Sequence, residues 1–125
     1  MKRDMDLIRD ILIQIGDADD DIDTNLLIKG KTDLEKRLIF YHVEILHGKN
    51  LITGYCITTT GGDYWHMLKL TWDGNDFLSA IQDDDVWSST KDGIQNAGAF
   101  TFDLVKDLAR GFIKKKIEEH TGIKI

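Results

Sequence analysis

"YHVEILHGKNLI", Tyr41 to Ile52, decides how the rest of the chain is read. A run with helical spacing ends here at small and polar residues, and an extended apolar pair follows at once. Such a junction belongs either to the recognition helix of a winged-helix DNA binder or to a buried helix that leads into a hairpin.

Read backwards from the junction, the helix begins near Asp33. Thr32 stands at the N-cap with Glu35 three residues on, the spacing of a capping box. At 100° per residue, Leu34, Leu38, Tyr41 and Ile45 share one side, and Ile39, Val43 and Leu46 continue the arc. Lys36, Arg37, Phe40, Glu44, His47 and Gly48 take the opposite side. The pattern admits one helix over residues 33–48 or a short piece followed by a longer one. His42 falls between Leu38 and Leu46 inside the apolar arc, so it is expected to be a core histidine whose ring nitrogens find backbone partners.

Read forwards, "LITGYCITTTGGDYWHMLKLTWDG" surrounds Gly61-Gly62 with β-branched and aromatic residues, which predicts a hairpin with a two-residue turn. With those glycines as the turn, Ile57 lies opposite His66, Tyr55 opposite Leu68 and Leu51 opposite Trp72. The core face is then Leu51, Tyr55, Ile57, Leu68, Leu70 and Trp72. Cys56, Thr58, Trp65, Met67 and Lys69 lie on the other face, and a three-residue loop would reverse the two.

Farther out, Met5, Ile8, Leu12 and Ile15 recur at helical spacing, with Asp4 placed to cap the helix and Gly16 to end it. "DADDDID", Asp17 to Asp23, reads as a solvated loop. It lacks the glycine and glutamate that a calcium-binding EF-hand loop requires, because Ile22 and Ile28 stand at those positions. "NLLIKG" reads as a short strand closed by Gly30. Beyond the hairpin, a helix runs from Asp73 through Phe77, Leu78 and Ile81, and a second ends at Gly98. A third is capped by Thr101 and continues to about Glu119. The order predicts an α+β fold, with a winged helix-turn-helix-like core over residues 1–82. A C-terminal helical extension over residues 83–125 is expected to pack on it as one compact unit.

Four blocks carry a family resemblance. "MKRDMDLIRDIL", "YHVEILHGKNLI", "LTWDGNDFLSAIQDDDVW" and "LVKDLARGFIKKKI" follow one another as in domain of unknown function 2513. That family consists of small bacterial and phage proteins, and the resemblance covers nearly the whole chain. It implies a winged-helix-like core and a phage or mobile-element setting, with no established activity. "YHVEILHGKNLI" also resembles the helix-to-wing junction of winged-helix repressors. Where those place glycine just before the leucine, this chain has Asn50, the next-best residue for the left-handed conformation that ends a helix.

Composition bounds the function. The net charge of −6 excludes a surface that grips nucleic acid all round, while leaving room for a local basic patch. A single cysteine, Cys56, excludes an internal disulfide and suits a reducing cytoplasm. Aspartates break every apolar run of the N-terminus, so neither a signal peptide nor a membrane span is expected. No phosphate-binding loop, zinc spacing or nucleophile–base pair stands out, so no catalytic residue, cofactor or metal is expected.

The candidate surface is the polar side of the 33–48 helix together with the wing. Lys36, Arg37, His47 and Lys49 would meet phosphates or base edges of duplex DNA, Phe40 a thymine methyl, and Trp65 and Lys69 would add the wing. Glu44 and Asp63 oppose that reading. The alternative is a protein partner held by Phe40 and Trp65 as aromatic anchors. The last helix carries Leu104, Val105, Leu108, Ala109, Phe112 and Ile113 over about half its circumference, a face suited to its own core or to a homodimer.

Overall fold

The computed structural model describes residues 2–98 and 100–125. They form an α+β fold of six helices and a two-stranded antiparallel sheet. The helices are α1 (Met5–Asp17), α2 (Thr24–Leu27), α3 (Asp33–Gly48), α4 (Trp72–Ile81), α5 (Asp84–Ala97) and α6 (Phe102–Thr121). The strands are β1 (Ile52–Thr59) and β2 (Gly62–Leu70). The chain divides into two compact units, Met1–Asp76 and Phe77–Ile125, and the division falls inside α4.

In the first unit, Ile8, Ile11, Leu12 and Ile15 of α1 are buried together with Ile39, Val43 and Leu46 of α3 and with Leu51, Ile52 and Leu68 at the base of the ribbon. Asp4 caps α1 by accepting the Leu7 N–H, and Thr32 and Glu35 form the complete capping box of α3. Residues 33–48 are one unbroken helix. The buried side of that helix lies toward one edge of the apolar arc read from the sequence. It is centred on Ile39, His42, Val43 and Leu46, while Leu34 stands 61% exposed. The buried face thus lies about 50° from the middle of the expected arc, and His42 is the core histidine expected, with both ring nitrogens on backbone partners.

The junction after α3 is closed as its sequence suggests. Asn50 is left-handed, with φ 62°. Its N–H reaches the His47 carbonyl and the Leu51 N–H reaches the Leu46 carbonyl, the bond pair that ends a helix tightly. The Leu51 carbonyl then accepts the Thr71 N–H at 3.0 Å. The Thr71 hydroxyl donates to the Asn50 carbonyl at 2.6 Å and accepts the Gly74 N–H at 2.9 Å. Gly74 is packed so closely on this junction that an added Cβ would lie 1.8 Å from the Leu51 carbonyl oxygen.

Two local readings are corrected. "NLLIKG" is not a strand: Thr24–Leu27 is a short helix, and the extended contact lies earlier, where Ile22 pairs with Leu68 in both directions. The cause is tertiary, since the Thr24 hydroxyl both accepts from the Trp65 N–H and donates to the Trp65 carbonyl, and this holds the chain against β2. The hairpin turn is Thr60-Gly61 rather than Gly61-Gly62, with Thr59 paired to Gly62, Ile57 to Tyr64 and Tyr55 to His66. The Thr59 side chain selects it, accepting the Gly61 N–H and donating to the Gly62 carbonyl.

A bulge between Thr53 and Tyr55 then changes the register, so that Ile52 meets Leu70. Met67 occupies the left-handed region there (φ 55°), and its N–H is taken by the Asp23 carboxylate at 3.2 Å. Gly54 faces the bulge with φ 152°, and a Cβ on it would come 2.8 Å from the Leu68 side chain. Only the base of the ribbon therefore enters the core. Tyr55, Ile57 and Trp72, expected on the core face, are exposed.

The second unit buries Phe77, Leu78 and Ile81 of α4, Val86, Trp87 and Ile94 of α5, and Phe102, Val105 and Ala109 of α6. Phe77 meets Phe102 edge-to-face at 5.4 Å. Asp83 caps α5 by accepting the Val86 N–H, and its other oxygen takes Lys116 Nζ at 2.7 Å. The Lys116 hydrogen bond, the Val86 N–H and the Lys116 charge hold the Asp83 carboxyl below its ordinary value. Thr101 caps α6 as its sequence position suggests. Among the described residues, no helix is long and apolar enough to cross a membrane.

Gly74→Ala should lower stability by about 3 kcal/mol in thermal unfolding followed by circular dichroism, because backbone rather than a mobile side chain must give way. Asn50→Gly should leave stability nearly unchanged. The Asp83 pair has a definite sign in pH. A carboxyl whose folded value is depressed adds stability above its unfolded value and loses it as pH falls through the folded one. Asp83→Asn retains a capping oxygen, so in acid titrations it should show a shallower loss of stability below the ordinary aspartate range than the unmodified chain.

Candidate functional site

The sequence-predicted residues fall into two groups. His47, Trp65 and Phe40 form part of the seam between α3 and the ribbon. The His47 and Trp65 rings lie 4.7 Å apart, and Phe40 meets Tyr64 edge-to-face at 6.0 Å. All three are half-buried. Their shared work is to set the ribbon against the helix, which leaves a smaller area of each free for a ligand than the sequence pattern implied. Arg37, Lys49 and Lys69 are exposed, and Lys36 is half-buried on the flank of α3.

Geometry adds residues that the helical wheel passed over. Lys29 and Lys31 lie exposed in the turn between α2 and α3, and Lys36 and Arg37 follow on the first turns of α3. Four cations thus cluster at one end of the helix, where its dipole is also positive. Among the described residues, no carboxylate forms an ion pair with Lys29, Lys36 or Arg37. Two features oppose an anion here. Asp33 is exposed beside them, and the Glu35 carboxyl is held below its ordinary value by the Thr32 backbone and hydroxyl hydrogen bonds, with Lys31 adding to the effect. Leu26 (56% exposed) and Leu34 (61%) flank the same end. The run of cations in "LIKGKTDLEKR" was the sequence signal for this patch.

His42 is fully buried. Its Nε2 accepts the Asp4 N–H at 2.8 Å and its Nδ1 donates to the Leu38 carbonyl at 2.7 Å. These partners select one neutral tautomer and tie the start of α1 to the middle of α3. Cys56 sits on β1 across from Trp65. Desolvation raises its thiol above the ordinary range, and the carboxylates of Asp63 and Glu44 add to that, the reverse of what activates a nucleophile.

His66 lies 3.3 Å from the Asp23 carboxylate and stacks on Tyr55 at 5.7 Å, on an open face of the ribbon. A cleft of about 200 Å³ between α1 and α3 has Ile11 and Leu38 in its lining and Asp4, Asp10 and Lys31 around it. It is below the size at which small-molecule sites are usually built. In the second unit a groove of about 510 Å³ runs along Ile113 and Ile117 of α6 past Val86, edged by the Asp83–Lys116 pair.

Comparison with known proteins gives two matches. A family model described as "Hypothetical protein (DUF2513)" matches residues 2–100. An uncharacterized protein of Haemophilus influenzae is 29% identical over 118 residues, which is 94% of this chain and 99% of the relative. No solved structure matches.

Replacing His42 by leucine keeps the volume but strands the Asp4 N–H. It should cost about 1–3 kcal/mol, seen as a lower midpoint in urea unfolding with an unchanged slope.

Proposed function

The chain belongs to the DUF2513 family, and we propose that residues 1–76 are a winged-helix-like, non-catalytic module that binds duplex DNA weakly through its backbone. The order of α1, the Ile22 bridge, α2, α3 and the ribbon supports that architecture, with α3 as the recognition helix and β1–β2 as the wing. The single observation that carries the DNA reading is the cation cluster. Lys29, Lys31, Lys36 and Arg37 occupy the turn and helix start that a helix-turn-helix protein lays against phosphates. Lys49, past the far end of α3, and Lys69 on β2 are exposed at the ribbon's base, apart from that cluster. With Asp33, Glu44 and Asp63 on the same side, affinity is low and base discrimination slight.

A second reading draws on Leu26 and Leu34, which phosphates cannot use. Two exposed leucines amid cations suit a protein partner with an apolar stripe and acidic borders. Phe40 and Trp65 serve that reading less well, because each is already committed to a ring of its own chain.

Fluorescence anisotropy with a short labelled duplex separates the two. DNA binding predicts retention at low salt that falls with a log–log slope of about −3, and a loss of roughly tenfold or more when Lys36 and Arg37 are both changed to glutamate. Salt-insensitive or absent binding by the unmodified chain removes the DNA reading. Loss of a co-purifying partner on Leu34→Asp would then favour the protein reading.

A further inference from the structure

From the open groove of the second unit we infer that this chain binds a short amphipathic helix of a partner protein, one with a negative flank and a positive flank. The first half of α6 is covered, with Phe102, Val105 and Ala109 buried. Beyond Ala109 none of its described residues is buried, although Phe112, Ile113 and Ile117 continue the apolar stripe at three- and four-residue spacing. Ile117 is 39% exposed. Ile113 and Ile117, with the buried Val86 behind them, line the groove of about 510 Å³ between α6 and the corner from α4 to α5. An apolar furrow beside a packed helix is the shape into which another helix sets its ridge of side chains. From Ile113 to Thr121 the lining follows about two turns of α6, roughly 12 Å, room for about three apolar side chains at helical spacing.

Charge complementarity chooses the occupant. One rim is the start of α5, where Asp83 and Asp85 share Lys116 at 2.7 and 4.0 Å. Two carboxylates against one ammonium leave that rim one charge negative. The other rim is the flank of α6 turned away from Val105 and Ala109. Arg110 and Lys114 stand there one turn apart beside Ile113 and Ile117, both exposed, and neither has an ion pair among the described residues. Glu118 follows them, and its carboxylate accepts the Ile125 N–H at 3.2 Å. Two cations against one carboxylate leave this rim one charge positive. An anionic membrane is flat and would meet the aspartate rim, and a small apolar molecule would use neither rim. A helix with glutamates along one flank and lysines along the other satisfies both at once. The groove shares no residue with the cation cluster at the start of α3.

Fluorescence anisotropy with the full chain and a labelled synthetic helix tests this. The probe carries leucines at helical spacing, glutamates on one flank and lysines on the other. It should bind saturably, and two control helices, with glutamates or with lysines on both flanks, should bind about fivefold more weakly. Ile117→Glu should weaken binding of the probe by about tenfold or more. Arg110→Glu together with Lys114→Glu makes both rims negative and should reverse the preference, so that the helix with lysines on both flanks becomes the tightest of the three. That reversal is read at exposed positions and decides the matter if the Ile117 variant fails to fold. Equal binding of the three helices, no saturable binding by any of them, or occupation of the groove by phosphatidylglycerol vesicles or a second copy of the chain instead, overturns the inference.

Discussion

The carbonyl of Leu51 is where the first unit is tied together. It accepts the Thr71 N–H while Gly74 packs directly against it, so α3, the ribbon and the start of α4 are held by a single peptide group. The left-handed turn at Asn50 aims that group, and the Thr71 hydroxyl, shared between the Asn50 carbonyl and the Gly74 N–H, locks the angle. Everything distal inherits its direction from this joint. The ribbon leaves the core at a fixed inclination, and His47 and Trp65 then meet as rings rather than pass one another.

What was legible in the sequence is what depends on neighbours along the chain. Asp4, Thr32 with Glu35, and Thr101 each cap the helix they precede, because a cap is a contact within three residues. The left-handed Asn50 was legible for the same reason. What escaped was decided from far away in the chain. His42 was legible as a core histidine, but its partner, the Asp4 N–H thirty-eight residues earlier, was not. Thr24–Leu27 is helical beside an extended Ile22 because both are held against β2. The left-handed Met67 has no local signal, being an ordinary side chain in an unusual backbone state that a carboxylate forty-four residues away supports.

The candidate surface was half legible. The periodicity correctly set Arg37 and Glu44 toward solvent. It could not distinguish a ring available to a ligand from one that binds its own ribbon, and Phe40, His47 and Trp65 are of the second kind. The cations of the α2–α3 turn were passed over because attention to a helical wheel omits the loop before it. Charge bookkeeping by face also underrates Glu35, whose carboxylate stays ionised because it closes the end of its own helix. An arriving anion has to share that helix start with a resident one.

The clamp at Met67 separates the ribbon into a rooted part and a free part. Below the bulge, Ile52 and Leu68 belong to the interior; above it, Tyr64 and Trp65 still lean on α3 and Trp65 holds Thr24, and the stretch beyond them, Thr58 to Asp63, is exposed. The tip is therefore a site where evolution, or an engineer, can lengthen, shorten or graft peptide at small thermodynamic penalty, since loop closure grows only slowly with length. Diversity among relatives should accumulate there first, as finger length and finger chemistry varied upon an unchanging knuckle.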